Sequence, residues 1–72
     1  MHIKFYKYGD EDMPFIYKER VEIDKIEIIK GKIIRLFYNK DDNNIFEDFF
    51  INEFCFIEID DFIWTINGKE GV

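Results

Sequence analysis

One stretch, IEIIKGKIIRLFY, constrains the fold more than any other. Two runs of β-branched residues are separated there by Lys30 and Gly31. β-branched residues favour strands, and a glycine at the second central position of a two-residue turn supplies the positive φ that tight hairpins need. The pattern therefore predicts an antiparallel hairpin, with Ile26 to Ile29 pairing with a strand that begins at Lys32 or Ile33 and ends at Tyr38.

The composition favours strands over helices along the whole chain. The sequence has no alanine, serine or glutamine and a single leucine, so the best helix formers are nearly absent. The abundant isoleucine, phenylalanine, lysine, aspartate and asparagine have A/T-rich codons, which points to a low-GC bacterium or one of its phages. The lack of serine also excludes the serine hydrolase arrangements.

Two further strands are predicted near the N-terminus. His2 to Tyr8 alternates, with Ile3 and Phe5 on one side, which is typical of a half-buried strand. A polar turn from Gly9 to Pro14 follows, and Phe15 to Arg20 reads as a second strand at the edge of the sheet. Together they predict a second antiparallel hairpin.

The segment from Ile45 to Ile66 combines aromatic rings with carboxylates and admits two interpretations in its first part. Asn44 as an N-cap with Glu47 as its capping-box partner fits a short helix, whereas the β-rich composition favours a strand over Ile45 to Ile51. Further along, Phe54 to Ile59 and Phe62 to Asn67 predict a final hairpin turning at Asp60 and Asp61.

These elements define the expected fold. A chain of 72 residues forms one domain, and a domain of this size buries only about 60% of its unfolded surface. We expect a single, mostly β domain over residues 1–72, with five to six antiparallel strands in a bent sheet or partly open barrel. The alternative of a short helix after Asn44 stays open at this stage.

Charge is distributed unevenly. Residues 1–40 carry a net charge of +2 and residues 41–72 carry −8, for a total of −6. This acidic second half opposes direct binding to a phosphate backbone and favours a basic protein as the partner. The same segment is rich in phenylalanine, and surplus aromatic surface is typical of protein interfaces.

The residues with potential chemistry fit structural roles better than catalytic ones. His2 stands alone beside the initiator methionine, and Cys55 lies between two phenylalanines and near acidic residues, which is a poor setting for a thiolate nucleophile. The acidic runs lack the glycine and the ligand spacing of a calcium loop. We therefore predict no catalytic residue, no metal site and no cofactor, and we do not expect an enzyme.

The sequence carries indications of location as well. Its first residues lack the apolar run of a signal peptide, and no uncharged run approaches the roughly 18 residues that span a bilayer. With one cysteine, no intrachain disulfide forms, which suits a reducing compartment. We expect a cytoplasmic protein that does not bind membranes.

The functional hypothesis is a non-catalytic, acidic protein-binding module. It would dock on a basic, nucleic-acid-binding protein surface, in the manner of an inhibitor from a phage or mobile element. Trp64 would anchor the contact. The negative charge of the binding surface would come from eight carboxylates: Asp41, Asp42, Glu47, Asp48, Glu53, Glu58, Asp60 and Asp61. The alternative is a structural assembly component whose aromatic surface forms a homodimer or larger homo-oligomer.

Overall fold

Seven β-strands make up the domain in a computed structural model that describes residues 1–65. They are β1 Ile3–Tyr8, β2 Pro14–Arg20, β3 Lys25–Ile29, β4 Ile33–Lys40, β5 Asn43–Phe50, β6 Phe56–Ile59 and β7 Phe62–Thr65. Two short 3-10 turns, Asp10–Asp12 and Ile51–Glu53, are the only helical segments in this part of the chain. The predicted end of the last strand, at residues 66–67, lies outside the described residues.

The strands form two antiparallel sheets. The first, sheet A, has the order β2-β1-β6-β7, and the second, sheet B, has the order β3-β4-β5. The prediction of a small, mostly β domain is therefore confirmed for residues 1–65, but the prediction of five or six strands in one bent sheet or barrel is wrong. The reason is that β6 returns to pair with β1, which leaves β3, β4 and β5 to form a sheet of their own.

The short helix considered after Asn44 does not form. β5 pairs with β4 along its whole length, from Lys40 opposite Asn43 to Ile33 opposite Phe50. A helix here would have left one edge of β4 without eight residues of pairing, and the local capping signal is worth only about 1 kcal/mol. The side chain that would have capped a helix, Asn44, instead accepts a hydrogen bond from Asn39 Nδ2 at 3.2 Å.

The core lies between the two sheets. Its buried residues are Ile3, Phe5, Ile23, Ile34, Leu36, Phe54 and Ile57. The ring of Phe5, on β1, lies 4.5 Å from the ring of Phe49 on β5 and 4.7 Å from that of Phe54, measured between centroids. These three rings join sheet A to sheet B, as aromatic pairs at such distances do in other β proteins.

The predicted strand pairings around the core are confirmed. β1 and β2 form an antiparallel hairpin with β2 at the sheet edge, and the alternation that placed Ile3 and Phe5 on one side of β1 matches their complete burial. β6 and β7 form a hairpin that turns at Asp60 and Asp61.

The tight turn between β3 and β4 also matches its prediction. The N–H of Lys32 donates to the carbonyl oxygen of Ile29 at 3.0 Å, and the two residues between them, Lys30 and Gly31, have φ values of 55° and 68°. Positive φ is easy for glycine and costs a side-chain-bearing residue about 1 kcal/mol. Gly31 therefore suits its position, and Lys30 does not.

Two substitutions in this turn are expected to change stability in opposite directions. Gly31→Ala should lower the free energy of unfolding by about 1 kcal/mol because of its positive φ alone, since a Cβ at Gly31 would meet no atom within 4 Å. Lys30→Asn should raise it by about 0.5 kcal/mol, because asparagine tolerates the left-handed region better than lysine. Urea unfolding of both variants measures the difference, and equal effects of the two changes would contradict the turn geometry.

Candidate protein-interaction surfaces

The nine predicted binding residues do not share one face. Glu47 faces the inner side of sheet B, Asp48 and Glu58 lie on the outer faces of sheets B and A, and Glu53 lies in a 3-10 turn. The others are Asp41 and Asp42 in the β4–β5 turn, Asp60 and Asp61 in the β6–β7 turn, and Trp64 on β7. The fold thus separates carboxylates that stand close together in sequence.

Glu47 is held by an arginine and a tyrosine. Arg20, at the end of β2, donates from Nε and Nη2 to the two carboxylate oxygens at 2.8 and 3.2 Å, and the Tyr38 hydroxyl donates to Oε1 at 2.7 Å. The hydrogen bond from Arg20 is the main reason that the pKa of Glu47 is lowered, and the bond to Glu47 raises the pKa of Tyr38. This carboxylate therefore joins β2 to sheet B and is half-buried.

Asp48 is paired as well. Arg35, which stands opposite Asp48 on β4, donates from Nε and Nη2 to its carboxylate at 2.6 and 2.8 Å. The hydrogen bond from this guanidinium lowers the pKa of Asp48. The same guanidinium lies 4.7 Å from the centre of the Phe46 ring. Asp48 thus contributes little uncompensated charge to the surface of sheet B.

Glu58 accepts a hydrogen bond on the outer face of sheet A. The Tyr6 hydroxyl donates to it at 2.8 Å, and this bond is the main cause of the raised pKa of Tyr6. Tyr6 also stacks on Phe56, with ring centroids 4.4 Å apart. The carboxylate is part of a side-chain cluster on the sheet surface.

Backbone pairing and hydrogen bonds show which loops lie near one another. Across the two sheets, Arg20 contacts Glu47 and Phe5 contacts Phe49. Within sheet A, one end is where β1 begins and β2 ends, because Ile3 pairs with Arg20. It also holds the β6–β7 turn, since the Asp60 N–H donates to the His2 carbonyl at 2.7 Å.

The β2–β3 loop is bonded both to this end of sheet A and to sheet B. The Ile23 N–H donates to the Met1 carbonyl at 2.9 Å, and the Asp24 N–H donates to the carbonyl of Phe37 at 2.8 Å, three residues before β4 ends at Lys40. Six carboxylates stand in this loop and in the β4–β5 and β6–β7 turns, and we call this group the acidic end: Glu22, Asp24, Asp41, Asp42, Asp60 and Asp61.

The carboxylates of the acidic end are largely uncompensated. Within residues 1–65, none of the six forms a salt bridge, and all are exposed. One of them, Asp60, accepts a hydrogen bond from the backbone N–H of His2 at 3.0 Å. The arginines are instead engaged with Glu47 and Asp48.

Sequence reasoning missed two members of this group, Glu22 and Asp24. Both belong to residues 1–40, whose net charge is positive. A charge count along the sequence therefore does not group them with the acidic residues of the second half. Their position follows from the pairing of β3 with β4, which brings the β2–β3 loop beside Phe37. Counting the acidic residues in each predicted loop, rather than in each half of the chain, would have identified them.

The outer face of sheet B carries three rows of side chains. One end row aligns Lys25, Phe37 and Phe46, and the other aligns Ile29, Ile33 and Phe50. The middle row aligns Glu27, Arg35 and Asp48. The charged side chains of this face pair with one another, Arg35 with Asp48 and Lys25 with Glu27 at 3.0 Å. The outer face of sheet B is therefore electrically neutral, and its end rows are partly aromatic.

Strand β7 presents apolar side chains on both of its faces. Phe62 and Trp64 stand opposite Ile59 and Ile57, on the core side of sheet A, while Ile63 stands opposite Glu58 on the outer side. Phe62 is 74% exposed, Ile63 65% and Trp64 47%, whereas Ile57 beside Trp64 is 1% exposed. The core therefore ends at β6, and Trp64 lies beyond it.

The residues considered for chemistry occupy ordinary structural positions. His2 Nε2 pairs with the carboxylate of Glu19 on the neighbouring strand, and the half-buried Cys55 thiol donates to the carbonyl of Tyr6 at 3.3 Å. No group of three or more metal-ligating side chains occurs within residues 1–65. That part of the chain also has no helix long and apolar enough to cross a membrane.

Comparisons of the chain with protein-family models, with curated proteins and with solved structures gave no match.

Removing the charge of Glu47 is expected to destabilise the domain in a pH-dependent way. Because its pKa is lowered on folding from an ordinary value of 4.5, its contribution is present above that value and is lost as the pH falls through the folded-state pKa. Glu47→Gln should therefore cost about 1–2 kcal/mol at pH 7 and less near pH 3. Urea unfolding at both pH values measures this.

The control for this prediction is Glu53→Gln, which neutralises an exposed carboxylate that forms no salt bridge within the described part of the chain. It should change stability little at either pH. A cost for Glu47→Gln that stays constant down to pH 3 would contradict the role of its charge.

Proposed function

We propose that this protein is a non-catalytic binding module that docks through its acidic end on a basic protein surface. The observation that carries the proposal is that six carboxylates in three loops are exposed, without a salt bridge to any of them within residues 1–65. A surface of one charge sign favours a partner of the opposite sign and speeds its association.

The backbone of these loops supports a recognition role because it is tightly turned. Glu22, Asp41, Asp42 and Asp60 all have positive φ, between 53° and 65°. The turns after β4 and β6 have only two residues each, Asp41 with Asp42 and Asp60 with Asp61. Short turns between paired strands hold their side chains in nearly fixed positions, which reduces the entropy lost on binding.

The pairing of the arginines explains how a moderately charged chain presents a strongly acidic end. Arg20 and Arg35 are bound to Glu47 and Asp48 on the two faces of sheet B, so neither arginine forms a salt bridge with a carboxylate of the acidic end. Opposing positive charge near these loops comes from Lys25, which pairs with Glu27, from Lys40, and from the N-terminal ammonium, which donates to the Ile23 carbonyl at 2.7 Å. The remaining field is negative.

The basic partner that this chemistry fits best is a nucleic-acid-binding protein. Such proteins present lysine and arginine to phosphates, and carboxylates held on a rigid support satisfy the same groups. An inhibitor of phage or mobile-element origin would act in this way, by occupying the surface that the nucleic acid needs. The predicted anchor residue, Trp64, is the third residue of β7 after the β6–β7 turn.

The test compares two variants that lose the same charge in different loops. The first neutralises the acidic end with Asp41→Asn, Asp42→Asn, Asp60→Asn and Asp61→Asn; asparagine also tolerates positive φ. The second, as control, carries Asp10→Asn, Glu11→Gln, Asp12→Asn and Glu53→Gln in the two 3-10 turns. Both variants gain four units of net charge.

The basic proteins that the immobilised chain retains from a low-GC bacterial lysate at about 50 mM salt are identified, purified and titrated with each variant. We expect the first variant to bind at least about tenfold more weakly than the wild type and the control to change less than about threefold. Duplex DNA should compete for the retained protein. Equal losses in both variants, or retention of no basic protein, would contradict the proposal.

A further inference from the structure

The four edge strands of the two sheets differ in how well they are protected against pairing with another chain. β2 begins at Pro14, has a bulge opposite Phe5 and Tyr6, and carries Lys18, Glu19 and Arg20. β3 carries Lys25 and Glu27, and β5 carries Glu47 and Asp48. Proline, bulges and charged side chains are the usual means by which edge strands avoid association.

β7 has none of these features. Its four residues are Phe62, Ile63, Trp64 and Thr65, without charge or proline, and its register with β6 is regular. One side of β7 pairs with β6, and within residues 1–65 no strand pairs with the other side. Its backbone N–H and C=O groups on that side, together with three exposed apolar side chains, form a template for strand addition.

We infer that β7 is a self-association edge, at which a second copy of this chain adds its own β7 in antiparallel orientation to give a continuous eight-stranded sheet. Two identical strands pair in this way about a two-fold axis perpendicular to the sheet. Centred on Ile63, the axis places Ile63 against Ile63 on the outer face. It places Phe62 of each copy against Trp64 of the other on the core side.

The side chains of β7 are self-complementary in this register. Aromatic cross-strand pairs such as Phe62 with Trp64 contribute about 0.2–1 kcal/mol each, and two of them form. They cover the part of sheet A where the core has ended and Trp64 is 47% exposed. On the outer face, the pairing of Ile63 with Ile63 buries this exposed side chain of each copy.

The charge layout permits a second copy at this edge, even though each chain carries a net charge of −6. In the antiparallel register, the two Asp61 residues lie four positions apart along the strands, which is about 14 Å. The Debye length in physiological salt is about 8 Å, so the two β6–β7 turns are largely screened from each other.

The dimer leaves both acidic ends free, so it presents two acidic recognition surfaces. Self-association at β7 and binding of a basic partner at the acidic end use different residues, apart from Trp64 and the neighbouring β6–β7 turn. The dimer can thus be tested without a partner, and its failure leaves the proposed function standing.

The test is the solution mass of the full chain, measured by sedimentation equilibrium from about 10 µM to about 1 mM, where small interfaces dissociate. We expect a reversible dimer, and we expect Ile63→Lys to weaken it at least tenfold, since two lysines would face each other across the axis. The matched control is Ile16→Lys, which changes an exposed isoleucine on the opposite edge strand, 45% exposed, and should leave the dimer unchanged.

A second measurement covers the case in which Ile63→Lys does not fold. In a chain with Cys55→Ala, Ile63→Cys should form a disulfide-linked dimer on oxidation, because directly opposed residues bring their Cβ atoms close enough. Ile16→Cys in the same background should not. A monomer at 1 mM, a dimer that Ile63→Lys leaves intact, or absence of the cross-link in the Ile63→Cys variant would each overturn the inference.

Discussion

The contact of Phe5 with Phe49 and Phe54 is the interaction on which the rest of the structure depends. Sheet A and sheet B have no strand in common, so they are joined by side-chain packing and by the two connecting segments. Phe5 lies in the middle of sheet A, and its ring contacts the Phe49 ring of sheet B at 4.5 Å between centroids. Phe54, in the segment that returns the chain to sheet A, closes the cluster at 4.7 Å from Phe5.

This small core explains why so much apolar surface stays outside. Within residues 1–65, seven apolar residues are buried, while thirteen large ones are exposed. A three-stranded sheet covers only part of a four-stranded one, so β7 extends past the core. The outer aromatic rings of sheet B, Phe46 and Phe50, have no third layer to pack against. A chain of this length has room for two layers and no more.

The fold was predictable where the signal was local. Gly31 with its flanking isoleucines specified one hairpin, and the alternation around Phe5 specified another strand. The division into two sheets was not predictable, because it depends on β6 pairing with β1 across some fifty residues, and no local pattern encodes that pairing. The helix signal at Asn44 failed for a related reason, since pairing with β4 outweighs one cap.

The candidate site was predictable only in part, for the same reason. The acidic turns at Asp41 and Asp60 were evident from the sequence, but the arginines that bind Glu47 and Asp48 come from β2 and β4. Which carboxylates stay uncompensated is therefore decided by tertiary pairing. Glu22 and Asp24 join the acidic end by the same mechanism, although the sequence places them in the positively charged half.

A double-mutant cycle between Phe5 and Phe49 tests the central claim, that these rings join the two sheets. Phe5→Leu, Phe49→Leu and the double variant are unfolded in urea, and their free energies of unfolding are compared. Contact between the rings predicts a coupling energy of at least about 0.5 kcal/mol. The first substitution already removes the ring–ring interaction, so the second costs less than it does in the wild type. Additive effects, with a coupling near zero, would show that the rings do not meet and would contradict the two-sheet arrangement.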